Sequence, residues 1–378
     1  MTQVHGFADE RFAPVRDTFA ASFEKRGEIG ASVAISVEGE MVVDLWGGYR
    51  DAGKSLPWES DTIVNVYSTT KTMAALCLLL LADRGEVDLH APAARYWPEF
   101  AQNGKEKVEV RHFLSHSAGL AGLDEPIRGD DVYDWDRVVD ALARQAPWWE
   151  PGSASGYHAM TQGHLIGEVV RRVTGCSLGT FFREEIAGPL QADFHIGTGP
   201  QHFDRIAELV SDGVTLSEQL GDADSIAART FRNFAADPNA VDTPAWRQAE
   251  IPAGNGHGNA RSVVRVQSIV ANLGGAFGVN LMSEAGCRRV FEEQTNGRDL
   301  VLGLPVRFGM GYGLNSALVP LGPNPHIAFW AGWGGSLVLV DQDARMCVSY
   351  VMNRMATTLV GDVRGFSLVR AAYQALGT

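Results

Sequence analysis

Near each end of the chain a pair of short β-forming runs stands beside an amphipathic helix, and this mirrored arrangement restricts the fold more than any other feature. ASVAISV (31–37) and MVVDLW (41–46) flank Glu38-Gly39-Glu40, a hairpin signal. GSLVLVD (335–341) and MCVSYVM (346–352) repeat the pattern around Asp341 to Arg345. Before the first pair, Phe12, Val15, Phe19 and Phe23 recur at spacings of three and four between Arg11 and Gly27, which lines one face of a helix. After the second pair, Phe366, Val369, Tyr373 and Leu376 do the same between Asp362 and Leu376. The simplest assembly joins both ends of the chain in one antiparallel sheet flanked by the N- and C-terminal helices, an α+β fold.

The residues between them are then an insertion. From Gly85 to Gly309 the sequence reads mostly helical, as in DWDRVVDALARQA and HLIGEVVRRVTG, punctuated by Gly, Pro and Asn loops such as PAGNGHGNA. The expected division is a discontinuous sheet domain, residues 1–84 and 310–378, and a mostly helical domain, residues 85–309, with the active site between them. A chain of 378 residues is long enough to bury a core of this size.

Charge and cysteine usage narrow the function classes. A net charge of −13 supplies no basic field for phosphates, so nucleic acid and anionic membrane are poor candidates as partners. The longest apolar stretch, Met73 to Ala82, has ten residues, about half of the ~20 that a spanning helix needs. The N-terminus MTQVHGFADERFAPVRD has neither a basic n-region nor an apolar h-region, which points to a cytoplasmic location. Cys77, Cys176, Cys287 and Cys347 are widely spaced without a C-x-x-C, a pattern of reduced thiols rather than of a disulfide frame or a zinc site.

The segment VYSTTKTMAALCLLLLADRG, Val66 to Gly85, carries the chemistry. It holds one of only five lysines, Lys71, three residues after Ser68. A helix that opens near Ser68 and ends at Gly85 puts both side chains on one face, one turn apart. A serine hydroxyl is a weak nucleophile until a neighbour takes its proton, and the positive end of a helix favours the developing alkoxide. Ser68 capping a core helix, with Lys71 solvated in its first turn, is the alternative on this pattern alone. A second S-x-x-K, Ser22 to Lys25, lies within the amphipathic first helix and reads as surface.

Further segments decide between the two. EVDLHAPAARYWPEF, VEVRHFLSHSAGL, WEPGSASGYHAMTQGHLIGEVVRRVTG, GNARSVVRV, FGMGYGLN and FWAGWGGSLVLVD follow in order. Together with Ser68 and Lys71 they resemble the serine β-lactamase-like family, which contains class C β-lactamases, D,D-peptidases of the penicillin-binding type and the bacterial family VIII carboxylesterases, and they are most similar to the last. The resemblance runs from Phe12 to Ala372 and implies a β-lactamase/transpeptidase-like fold. It implies Tyr157, in Tyr157-His158-Ala159, as the general base, a phenol held near phenolate by the Lys71 ammonium. The Asn usual at the third position, which helps bind the amide side chain of a β-lactam, is replaced by Ala159.

The third family motif, K-T-G or H-x-G on the strand facing the serine, falls on Trp330-Ala331-Gly332, or one step on at Trp333-Gly334-Gly335. In either register an aromatic replaces the cation that would bind a carboxylate. The resemblance also implies an oxyanion hole made by the backbone N–H groups of Ser68 and Trp333. The reading that follows is a serine esterase acting on small neutral esters through an acyl-enzyme, with no metal or organic cofactor. The His112-Phe113-Leu114-Ser115-His116 run has metal-pair spacing but no third ligand, and reads as structural. A β-lactamase or D,D-peptidase on the same fold is the nearest rival, and a non-catalytic binding protein the more distant one. An α/β-hydrolase is disfavoured, since Ser115-His116-Ser117-Ala118-Gly119 lacks the first glycine of a nucleophile elbow.

Overall fold

In the computed structural model, which describes residues 2–211, 224–232, 240–358 and 361–377, the two terminal hairpins form and pair with each other. The first comprises β2 (Gly30–Val37) and β3 (Glu40–Gly48), closed by Glu38 and Gly39 at φ 54° and 82°. Two left-handed residues give a tight hairpin turn whose twist matches its strands. The second comprises β8 (Leu337–Asp341) and β9 (Met346–Met352), and β9 runs antiparallel to β2 from Met346 opposite Val37 to Met352 opposite Ala31.

These strands form the middle of a nine-stranded antiparallel sheet. With β1 (Val4–Ala8), β4 (Thr295–Arg298), β5 (Pro305–Phe308), β6 (Gly313–Leu314) and β7 (Ile327–Ala331), the order is β1-β3-β2-β9-β8-β7-β6-β5-β4. Three of these strands differ from the sequence expectation. The edge strand β1 lies in a segment read only as lacking a signal peptide. Strands β4 and β5 belong to the sheet although their residues fall within 85–309. Each has four residues, and of the eight only Phe308 is buried, so neither shows the alternating apolar run that marks a strand.

The central strands are covered on both faces. Helices α1 (Ala13–Lys25) and α6 (Val363–Leu376) pack on each other, and Tyr350 of β9 lies against Gly365 of α6. From the opposite face, Ser268 of α5 (Ala260–Ala271) hydrogen-bonds Ser36 of β2, which is paired with Cys347. Residues 347 and 350 of one strand point to opposite sides. Burial on both sides explains why MCVSYVM and LVLVD are buried throughout rather than at alternate positions. Helix α5 also falls within 85–309, yet it serves the sheet.

Helix α2 (Thr70–Asp83) is the spine of the molecule. Every residue from Thr70 to Ala82 is buried, the condition of a helix apolar all round. It packs on α4 (Thr161–Thr174) of the helical segment, which also holds α3 (Trp135–Arg144). Gly85, at φ 77°, closes its C-terminal end in the left-handed conformation that glycine adopts without strain. All four cysteines are free thiols. No helix among the described residues is long and apolar enough to cross a membrane.

Candidate active site

Ser68 sits where three parts of the chain meet. It lies in a 3₁₀ turn, Tyr67–Thr69, that feeds directly into α2. The turn is entered through Tyr67 at φ 44°, a left-handed backbone that costs on the order of 1 kcal/mol for a bulky residue. Its surroundings hold it there: Val66 N–H donates to Gly256 O (2.9 Å) and Thr70 Oγ1 donates to Tyr67 O (2.5 Å). The loop PAGNGHGNA is thus a support beneath the start of α2.

Lys71 follows one turn later and is fully buried. Its Nζ lies 3.2 Å from Ser68 Oγ, and it donates to Ala159 O (2.7 Å) and Ala253 O (2.8 Å). No carboxylate partners it in these bonds, and burial pushes its pKa well below the usual 10.5. Tyr157 reaches the same serine from the other side, its phenol oxygen 2.5 Å from Ser68 Oγ. Burial raises the phenol's pKa, the Ser68 hydrogen bond opposes it, and the Asp299 carboxylate adds a smaller upward push. Lys71 Nζ stands over the Tyr157 ring, 4.9 Å from its centroid. Both shifts act against the charged forms, opposite in direction to the phenolate–ammonium pair that the resemblance implies.

Tyr157 lies in a segment without regular structure and is placed by its neighbours. Gly156 N–H donates to His116 O (2.9 Å), and His158 N–H donates to His116 Nδ1 (3.0 Å). The His112–His116 pair therefore serves structure: the His112 ring accepts from Glu109 N–H (3.2 Å), and His116 stacks on Trp330 with centroids 5.3 Å apart. His158, beside the candidate base, has both ring nitrogens engaged with the main chain, at Leu120 N–H and Gly156 O.

Trp330 stands on β7 in the wall of an apolar pocket, together with Tyr157, Leu302, Val306, Phe308 and Phe329. Trp333 lies beyond the strand end, and its indole packs on Tyr67, 5.2 Å between centroids. Of the two registers read from sequence, the one starting at Trp330 puts the aromatic in the pocket beside Tyr157. Ala331 lines the same pocket. Gly332 is the point of closest approach: a Cβ there would lie 2.1 Å from Val66 O. Ser336 clamps the turn, donating to Val66 O (2.8 Å) and bonding Thr69 Oγ1 (2.9 Å). Behind the turn, buried Arg364 donates to Gly334 O (3.0 Å) while paired with Glu28 and Asp362. Among the described residues, the N–H groups of Ser68 and Trp333 have no backbone acceptor.

The buried histidines are expected to make the fold acid-sensitive. Burial pushes His112, His158 and His164 down to about 4 and His257 to about 3, against an ordinary value near 6.5. Between pH 6.5 and 4 the unfolded chain binds protons that the folded chain does not, so stability falls on acidification. A displacement of this size corresponds to roughly 3 kcal/mol per histidine. Glu28, pushed up to about 7 by burial, acts in the opposite sense: its contribution is present below its unfolded pKa and lost as pH rises through 7. Four groups outweigh one, and melting followed by calorimetry is expected to show Tm falling steeply below pH 6.5. Equal Tm values at pH 7 and pH 5 would contradict the neutral state assigned to these rings.

The comparisons with known proteins give the family and the fold. A family model described as Beta-lactamase matches residues 15–371, and the chain belongs to that family. It is a hydrolase of the serine β-lactamase-like superfamily with the β-lactamase/transpeptidase-like fold. A crystal structure of a family VIII carboxylesterase is 42% identical with a TM-score of 0.93, covering 99% of this chain and 100% of that one. A penicillin-binding protein homolog from Caulobacter crescentus is 37% identical with a TM-score of 0.91, covering 99% and 100%. Among curated proteins, the esterase/beta-lactamase LipL of Mycobacterium tuberculosis is 34% identical over 98% of this chain and 89% of its own length.

Proposed function

We propose that this chain is a carboxylesterase that hydrolyses short-chain neutral esters through an acyl-enzyme on Ser68. The observation that carries the proposal is the double contact at Ser68 Oγ, 2.5 Å from the Tyr157 phenol and 3.2 Å from Lys71 Nζ. With Lys71 as an amine, its two N–H groups serve Ala159 O and Ala253 O, and its lone pair faces the serine hydroxyl. Ser68 attacks the ester carbonyl as Lys71 takes the hydroxyl proton. The phenol of Tyr157 supplies a proton to the departing alcohol oxygen and is reprotonated from Lys71. Water then repeats the sequence on the acyl-enzyme and releases the acid. The Ser68 and Trp333 amides stabilise the oxyanion in both halves.

Trp330 and its aromatic neighbours support the choice of substrate, because an apolar wall suits a neutral acyl or alcohol group. A panel of p-nitrophenyl esters from acetate to long chains, measured on wild type and on Ser68→Ala, tests the proposal. Highest kcat/KM for acetate or butyrate, abolished in Ser68→Ala, is the expected outcome; undiminished turnover by Ser68→Ala would sink it. Gly332→Ala is a second check on the site. Its added methyl must displace either β7 or the Ser68 segment, and a displacement of about 1 Å at a reacting centre costs on the order of 10²-fold in rate. A Gly332→Ala variant with unchanged kcat/KM would show that this close approach does not set the geometry.

A further inference from the structure

Asp299 lies outside every sequence motif yet reaches the middle of the site. It opens the tight loop between β4 and β5, closed by Asp299 N–H to Leu304 O and Gly303 N–H to Asp299 O, both 2.9 Å. The residue is buried, 1% exposed. Its Oδ1 accepts three main-chain N–H groups, from Tyr157 (3.0 Å), Val301 (2.9 Å) and Leu302 (2.8 Å). Leu300 N–H donates to Ser155 O (2.9 Å), so the loop docks twice on the segment that delivers Tyr157.

That segment has no helix or ladder to fix it. His116 holds the amides on either side, those of Gly156 and His158, and Asp299 holds the amide of Tyr157 itself. The other carboxylate oxygen, Oδ2, is buried without a hydrogen-bond partner among the described residues. A buried carboxylate is costly unless satisfied. Here the satisfaction converges on one oxygen, and one of its three donors belongs to the residue that contacts Ser68.

We infer that Asp299 is the positioning residue for Tyr157, fixing its main chain so that the phenol oxygen meets Ser68 Oγ. The inference rests on the reading of Ser68 as nucleophile, with the Tyr157 phenol hydrogen-bonded to its Oγ as part of the same proton-transfer unit. Because only Oδ1 is used, an asparagine retains the anchor and an alanine removes it.

The test is the second-order rate at which a fluorophosphonate labels Ser68, which reports nucleophile reactivity without requiring ester turnover. Asp299→Ala is expected to lower that rate by about 10- to 100-fold, the scale of a small misplacement at a reacting centre. Asp299→Asn is expected to recover most of the loss. In a Tyr157→Phe background, Asp299→Ala should add less than about twofold, since a residue acting only through Tyr157 has nothing left to position. Should Asp299→Ala fail to fold, Asp299→Ser, whose hydroxyl is too short to serve all three amides, carries the same comparison. An equal loss in the Tyr157→Phe background, no loss in the native one, or no recovery by asparagine would each overturn the inference. A wild type that is not labelled at Ser68 removes the nucleophile assignment, and this inference with it, whereas the Asp299 outcomes overturn the inference alone.

Discussion

Lys71→Ala and Tyr157→Phe are each expected to lower kcat for a short ester by roughly 10²–10⁴-fold, the range of a lost acid–base group, and Ser68→Ala by at least as much. The losses should not add. A unit that moves one proton among three groups fails when any member is missing, so the Lys71→Ala/Tyr157→Phe pair should be little worse than its poorer single variant. The neighbouring histidine offers no substitute base. His158 is adjacent in sequence, but both its nitrogens are tied to the main chain and burial keeps its pKa down at about 4. Activity should also rise with pH as Lys71 loses its proton, well below the ordinary lysine range. Steady-state kinetics with melting curves on each variant check these points. A mere tenfold loss in Tyr157→Phe would move the proton transfer elsewhere.

Substrate class gives the second large effect. A carboxylate held by a lysine gains a charge-assisted bond of about 1.5–3 kcal/mol, a factor of roughly ten to a hundred or more in affinity. Among the described residues, the pocket wall at the third motif has no such cation: Trp330 is flanked by Phe308, Tyr157 and His116, and burial holds His116 well below its ordinary pKa. At the second motif, Ala159 offers Lys71 only its carbonyl oxygen. Short neutral esters are therefore expected to exceed penicillins in kcat/KM on the same preparation by at least this factor. A penicillin that proved the better substrate would replace the esterase proposal with a β-lactamase one.

The parts legible in sequence are those whose signal is local. The two hairpins, the terminal helices and the Ser68–Lys71 spacing each depend on residues within a few positions of one another, and each formed where its pattern placed it. The fold class followed from combining them. Strands β4 and β5 are not legible because four residues each, with Phe308 the one buried side chain of the eight, show no period, and α5 because a helix does not announce which layer it covers. Asp299 was invisible for another reason: its partner Tyr157 is 142 residues away and is met through a main-chain N–H, which leaves no side-chain signature. Burial, which sets the direction of the Lys71 and Tyr157 pKa shifts, is likewise not written in the spacing of the two residues.

The central claim, a covalent acyl-enzyme on Ser68, is tested most directly by mixing the protein with excess p-nitrophenyl butyrate, quenching in acid within the first turnovers and measuring peptide masses. The expected result is a butyryl adduct on the peptide containing Ser68 in wild type, accompanied by a burst of p-nitrophenol, and no adduct in Ser68→Ala. Butyrate released at the full rate with no adduct on Ser68, or an adduct mapped to another residue, would contradict it.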